Sequence, residues 1–264
     1  MFSINGVELD NDTLGWTCRD ASTSLSGLTV ERPDLIVPGW DGVAEGLDGR
    51  ASAVAFPLMV ETPRANEPAL RVLLRSQPLV LTEEGWTGLE ARCELLSISP
   101  QGWGPADEVV EVTAMLRIPG VYWRDAGETT STPAAIGSAS VAVEVMEGLS
   151  APVRDAIIRV AGGVTNLKVA DAGGSFFQYG AVIAEGEYLR FECATGKAFL
   201  TFTDVWTGGT EVTGLITNGP GPYPFQLTPS FTDPADRVAA LTVTSSARSG
   251  SPVIAVRGKR AHEL

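Results

Sequence analysis

Between Gly148 and Cys193 the chain repeats one pattern, a short apolar segment followed by a glycine turn. Ala156 to Val160 leads to Gly162-Gly163. Leu167 to Ala170 leads to Gly173-Gly174, and Tyr179 to Ile183 leads to Glu185-Gly186-Glu187. Spacing of this kind predicts consecutive antiparallel strands in a sandwich or barrel. The last segment alternates most clearly. Leu189, Phe191 and Cys193 fall on one face and Tyr188, Arg190 and Glu192 on the other, the period of a half-buried strand. None of these positions forms a recognisable chemical constellation, so the stretch reads as scaffold.

Toward the N-terminus, Ser3 to Leu9 predicts a first strand, with a turn at Asn5-Gly6. Val37-Pro38-Gly39-Trp40-Asp41-Gly42 predicts a loop, because proline fixes φ and the glycines allow positive φ. Trp40 either folds back onto its domain or anchors a subunit contact, since Trp is enriched at interface centres. In Ala53 to Glu61 the side chains Val54, Phe56, Leu58 and Val60 share a face. Pro57 cannot donate to a ladder and predicts an edge or a bulge there.

One helix follows. Asn66 is its expected cap, Glu67 suits its N-terminal dipole, and Leu70, Leu73 and Leu74 form its apolar stripe. Arg71 and Arg75 share another face, which reads as solvated in preference to gripping a partner's carboxylates. Pro78 stops the helix. Leu79 to Thr82 and Glu90 to Ile98 predict strands around a Glu83-Glu84-Gly85-Trp86 turn, with a bulge at Leu95-Leu96 where the alternation shifts phase.

After a Gly102-Trp103-Gly104-Pro105 loop, Val110, Val112, Ala114, Leu116 and Ile118 mark one face of a long strand. Residues 126–140, rich in Gly, Ser, Thr and Pro, predict a linker. Strands resume at Val141, with further candidates at Ala198 to Thr203, Glu211 to Ile216, Leu241 to Val243 and Val253 to Val256. Asn218 to Pro224 predicts an extended loop, and the basic tail from Arg257 to His262 predicts a frayed end. No repeat of fixed period occurs. The pattern as a whole predicts a mainly β chain with one β-rich domain over 1–125, a linker over 126–140 and a second β-rich domain over 141–264.

Composition narrows the function. The 264 residues include 29 glycines and 17 prolines, 44% hydrophobic residues and 19% charged ones, a globular balance with many turns. A formal net charge of −13 argues against stable nucleic-acid binding, which needs clustered Lys and Arg. The N-terminus has no basic, apolar signal pattern, and no apolar run is long enough to span a membrane. Cys18, Cys93 and Cys193 are odd in number and far apart, which predicts reduced, buried thiols and no metal framework.

Catalytic chemistry finds little support. The single histidine, His262, lies near the end, so a Ser-His-Asp or Cys-His site is not expected. No nucleophile elbow, Walker loop or dinucleotide fingerprint occurs. Asp107-Glu108 and Glu83-Glu84 are adjacent pairs in loops, unlike two carboxylates held apart in a cleft. The sequence predicts no enzyme, no cofactor and no metal.

The order of these features resembles the distal tail protein (Dit) family of long-tailed siphophages, also described as phage tail family or minor tail proteins. Val-Pro-Gly-Trp-Asp-Gly over 37–42 is similar to that family's Pro-Gly-x-Asp-Gly element. The strand Ala53 to Glu61 precedes the helix with Arg71, Leu73 and Leu74. Ile118-Pro119-Gly120-Val121-Tyr122-Trp123-Arg124 resembles the aromatic end of the first domain. Gly148 to Val160, Leu167-Lys168-Val169 and Gly186-Glu187-Tyr188-Leu189 resemble the start of the second.

The resemblance implies a tail-tube-like β-sandwich for the first domain, with one short helix, and a galectin-like β-sandwich for the second. It implies a homo-oligomeric ring, typically a hexamer, at the distal end of the tail. Such a ring joins the tail tube to tip or baseplate hub proteins, meets the tape-measure protein and lets DNA pass through its lumen. The protein would be made in the bacterial host cytoplasm and carried in the virion, without membrane insertion. Trp40, Asp41, Arg71, Arg75 and Trp103 are the candidate assembly contacts. The competing reading is a carbohydrate-binding module or adhesin recognising host-surface glycans, with Trp206 or Tyr223 stacking on a sugar. Trp206 fits better at the core or its rim.

Overall fold

The chain alternates between buried and exposed positions along antiparallel strands, and the strands gather into two units, Met1–Arg124 and Asp125–Glu263. The structure is a computed structural model that describes residues 1–19, 28–31, 50–53, 55–101, 108–219, 225–230 and 237–263.

In the first unit, β1 (Phe2–Ile4) and β2 (Val7–Glu8) form a hairpin around Asn5 and Gly6, both at positive φ. Then come β3 (Thr17–Cys18), the paired β4 (Leu28–Glu31) and β5 (Arg50–Ala53), and β6 (Phe56–Pro63). Phe56, Leu58 and Val60 of β6 are buried, as their alternation predicts. Helix α1 (Glu67–Leu74) buries Leu70 and Leu74 and half-buries Leu73. Asn66 does occupy the cap position, but its side chain makes no cap hydrogen bond; its Nδ2 donates to the Leu14 carbonyl instead, at 2.7 Å. Asn66 itself has φ −101° and ψ −5°, not the extended backbone from which a capping oxygen meets the first-turn amides.

Strands β7 (Leu79–Glu83), β8 (Leu89–Gln101) and β9 (Val109–Arg117) complete the sheet, and the short β10 (Trp123–Asp125) follows, its last residue the first of the second unit. The sheet order is β2-β1-β7-β8-β9-β6-β3. Strand β8 serves two neighbours in turn. Ala91 to Cys93 pair with β7, and Glu94 to Gln101 pair with β9. Within the β9 ladder the register shifts between Leu95 and Ser97, where the sequence predicts a bulge. A bulge bends its strand, and apolar side chains from both halves of the sheet join one core with Leu70 and Leu74.

Pro57 sits on β6 opposite Met115 of β9. Strand β3 reaches only Val60 and Glu61, and the Arg19 amide donates to the Met59 carbonyl. Among the described residues, Pro57 therefore lies where β6 has a ladder partner on one side, a place that tolerates a missing donor.

The second unit is a sandwich of two antiparallel sheets. Its strands are β11 (Thr129–Thr130), β12 (Ala134–Ala135), β13 (Ser140–Glu147), β14 (Ile157–Ala161), β15 (Val164–Asp171), β16 (Phe176–Ile183), β17 (Tyr188–Glu192), β18 (Lys197–Thr201), β19 (Thr210–Glu211), β20 (Ile216–Gly219), β21 (Val238–Thr244), β22 (Ala247–Arg248), β23 (Val253–Gly258) and β24 (Ala261–His262). One sheet runs β11-β23-β14-β17-β18-β19, with β12 also on β23. The other runs β13-β21-β15-β16-β20, with β22 on β15. Phe177 from one sheet stacks on Phe191 from the other with centroids 4.0 Å apart, and Phe225 meets both edge-on.

Two features of this unit depart from composition. The polar stretch 126–140 carries β11 and β12, both antiparallel to β23, because backbone groups can pair whatever the side chains. The basic tail is held, not frayed. Ala261 is fully buried, its carbonyl accepts from the Ser150 and Ala151 amides, and the Glu263 amide donates to Ser150 Oγ at 2.8 Å.

Candidate assembly surfaces

Of the five assembly contacts named from sequence, Trp40, Asp41 and Trp103 lie outside the described residues, as does Tyr223. Arg71 on α1 and Arg75 at its C-terminal cap are exposed, beside Val72, which is 71% exposed. Helix geometry puts residues 71 and 75 one above the other. The Arg71 guanidinium is engaged by Glu67 one turn earlier, so Arg75 and Val72 are the more available of the three.

None of the five belongs to a second surface of the first unit, the far arm of β8. Past Cys93, β8 loses its cover. Leu96 is 49% exposed, and Ser97, Ser99, Pro100 and Gln101 are exposed around the half-buried Leu95 and Ile98. Val109, at the near end of β9, is 50% exposed. The Leu-Leu-Ser-Ile run, apolar on both sides of a phase shift, is the signal that marks this arm in the sequence. Exposed apolar strands of this length are usually covered in an assembly.

The outer face of the second unit's β14-β17-β18 sheet carries a third cluster. Leu189 and Phe191 point into the sandwich, so Arg190 points out, yet only 3% of it is exposed. It lies opposite Arg159 on one side and Phe199 on the other. The Arg190 guanidinium stacks 4.5 Å from the Phe199 ring centroid. The Arg159 guanidinium stands 4.3 Å from the Trp206 ring and 5.7 Å from Tyr188, and it pairs with Asp204. Trp206 is thus a half-buried rim residue with its ring against a cation, an arrangement that stabilises both.

The titratable groups are placed for structure. Cys93 and Cys193 are free and buried. Burial pushes the Cys93 thiol up to about 12, and burial next to Asp155 and Asp171 pushes Cys193 higher still. Neither is a nucleophile at neutral pH. His262 Nε2 lies 2.9 Å from Asp125 Oδ1, and Arg260 Nε donates to Asp125 Oδ2 at 2.6 Å. These three side chains tie the end of the second unit to its beginning.

No family model matches the chain, and no curated protein sequence does. Solved structures do resemble it. The crystal structure of the phage SPP1 Dit protein (gp 19.1), described as a paradigm of the hub adsorption apparatus in phages that infect Gram-positive bacteria, aligns with a TM-score of 0.57. The alignment covers 98% of this chain and 99% of that one at 14% identity. A chain of the phage p2 baseplate in its activated, strontium-bound conformation aligns over 97% of both chains at 10% identity, with a TM-score of 0.37. The mainly β architecture read from sequence, two β-rich units with one short helix in the first, shares its fold with the SPP1 Dit protein over 98% of the chain.

Proposed function

We propose that this chain is a structural protein of a long-tailed phage virion, forming a ring at the distal end of the tail. The observation that carries the reading is the likeness to SPP1 Dit along nearly all of both chains, with neither unit left over. In this reading, residues 1–125 form a tail-tube-like inner ring, 126–140 connect, and 141–264 form an outward galectin-like sandwich. The ring, a hexamer, joins the tail tube to tip or baseplate hub proteins and meets the tape-measure protein.

The physical reasoning is that of ring closure. Each subunit presents one surface to a different surface of the next, and the rotation between them closes the ring. Val72 on α1, Arg75 at its C-terminal cap and the bare arm of β8 supply contact surface, together with Trp40, Asp41 and Trp103. A permanent interface of this kind buries on the order of 2,000 Å². The net charge of −13 suits a lumen that repels phosphate and lets DNA slide.

Light scattering and electron microscopy of the purified protein test the reading. Closed rings of six subunits are expected, with an acidic lumen. A chain that stays monomeric at high concentration, or a ring lined mainly by Lys and Arg, counts against it. The glycan-binding reading gains no support from Trp206, because Arg159 already occupies a face of its ring.

A further inference from the structure

Arg159 and Arg190 are direct cross-strand partners on β14 and β17. Like charges at such a position disfavour the sheet, so groups outside the ladder must offset them. Glu192 reaches only one nitrogen of Arg190, at 3.3 Å. Among the described residues, Arg190 Nε and Nη1 are buried with no hydrogen-bond partner. A guanidinium presents its donors in a fork that matches a carboxylate, and leaving two of them unmet in a buried place is costly.

The other guanidinium is answered from a neighbouring segment. Asp204, between β18 and β19, pairs with Arg159 while its own side chain stays 58% exposed. The same segment exposes Phe202 by 79% and Val205 by 38%. It ends at Gly208 and Gly209, both at positive φ, a conformation glycine adopts without strain.

We propose that Arg159 and Arg190 form a docking site for a protein segment that carries an aspartate or glutamate beside an apolar side chain. Asp204 fills the Arg159 half of this site in the free chain. The incoming carboxylate displaces Asp204 and takes up the unmet donors of Arg190 as the Asp204 segment lifts. Its apolar neighbour covers Phe202 and Val205. The choice of a carboxylate follows from charge complementarity and from the carboxylate already in place. The choice of a protein segment over a neutral sugar follows from the same charge, since a neutral sugar brings no carboxylate to the Arg190 donors, and the Trp206 and Tyr188 rings already face the Arg159 guanidinium. The site lies within the second unit and does not depend on ring formation, so either reading can fail alone.

The test uses the full-length protein with ¹⁵N-labelled arginine, titrated with acetyl-Asp-Phe-amide and followed by NMR at the arginine Nε–H signals. Acetyl-Asn-Phe-amide, glucuronate and inorganic phosphate are titrated separately. The Asp peptide should shift Arg159 and Arg190 saturably, and the Asn peptide should not. Removing the internal competitor by Asp204→Asn should tighten binding roughly two- to fivefold, the worth of one exposed ion pair. Arg159→Gln should abolish it. Both variants sit at less buried positions than Arg190 and spare the core. No saturable shift, an unchanged affinity in Asp204→Asn, or binding of glucuronate or phosphate as tight as that of the Asp peptide would each overturn the proposal.

Discussion

Glu61 and Glu111 face each other directly across the β6–β9 ladder. Two carboxylates at such a position repel, and Arg19 lies against both. It pairs with Glu61 and reaches Glu111 Oε2 from Nε at 3.8 Å. The Arg19 amide also donates to the Met59 carbonyl at 2.9 Å, so side chain and backbone fix the β3 edge together. Arg19→Ala should destabilise the protein by about 1 kcal/mol, since all three side chains are partly solvated. Chemical denaturation should show a smaller loss at high salt. Glu111→Gln in the Arg19→Ala background should recover part of it, because the repulsion is then gone.

The Phe177–Phe191 stack joins the two sheets of the second unit, and both rings are almost fully buried. Truncating either to Ala leaves a cavity that the sheets cannot close, at a cost of about 3–5 kcal/mol. The double variant should cost less than the sum of the two, since each ring loses the same partner. Denaturant titration of the single and double variants measures both effects.

The turn that carries the chain from β14 in one sheet to β15 in the other lies where backbones nearly touch. A Cβ on Gly162 would stand 1.7 Å from the Ala184 carbonyl oxygen, and one on Gly163 would stand 2.1 Å from that of Ser249. These are main-chain atoms that cannot step aside. Gly162→Ala should therefore cost about 3 kcal/mol by thermal or denaturant unfolding, while Gly174→Ala, at a turn with nothing among the described residues within 4 Å, should cost only the strain of its positive φ.

How far these features were legible depends on what encodes them. Alternation in β6 and β9 is visible because one face of each strand is buried, and the bulge at Leu95 is visible because it breaks a period of two. The stripe of Leu70, Leu73 and Leu74 is visible for the same reason at helical spacing. Strands β11 and β12 were hidden, since they pair through backbone groups while their side chains look like a linker. The alternation of β17 assigns Arg190 to the polar face correctly, but burial of that face depends on what lies over it. The Arg159–Asp204–Trp206 cluster joins a strand to a distant loop, and no local spacing encodes it. Of the proposed contacts, the exposure of Arg71 and Arg75 was readable from helix phase alone.

Thiol reactivity separates the three cysteines. A thiol whose pKa is raised is protonated at neutral pH, and only the thiolate attacks. At pH 8 a disulfide-exchange reagent should therefore modify half-buried Cys18 first. Cys93 and Cys193 should react only as fast as the fold opens. Mass spectrometry of the labelled native and denatured protein distinguishes the sites, and rapid native labelling of Cys93 would contradict its burial.

Asp125 gives the second unit a pH dependence. Burial pushes its carboxyl up, but hydrogen bonds from Arg260 and His262, together with their charges, outweigh this and hold it below the ordinary value. A carboxyl with a lowered folded pKa stabilises the fold when ionised. That contribution is fully present above the unfolded value, about 3.9, and is lost as pH falls through the folded value. Asp125→Asn keeps the shape but gives up the charge, and should cost about 2 kcal/mol at neutral pH, as expected for hydrogen bonds to a charged group. The gap between wild type and variant should hold steady from pH 7 to about pH 4 and narrow below that. Denaturation curves across this range measure it directly. A gap of the same size at pH 3 and pH 7 would mean that the tail is held by packing of Ala261 and its backbone bonds, and that the ionised carboxylate contributes nothing.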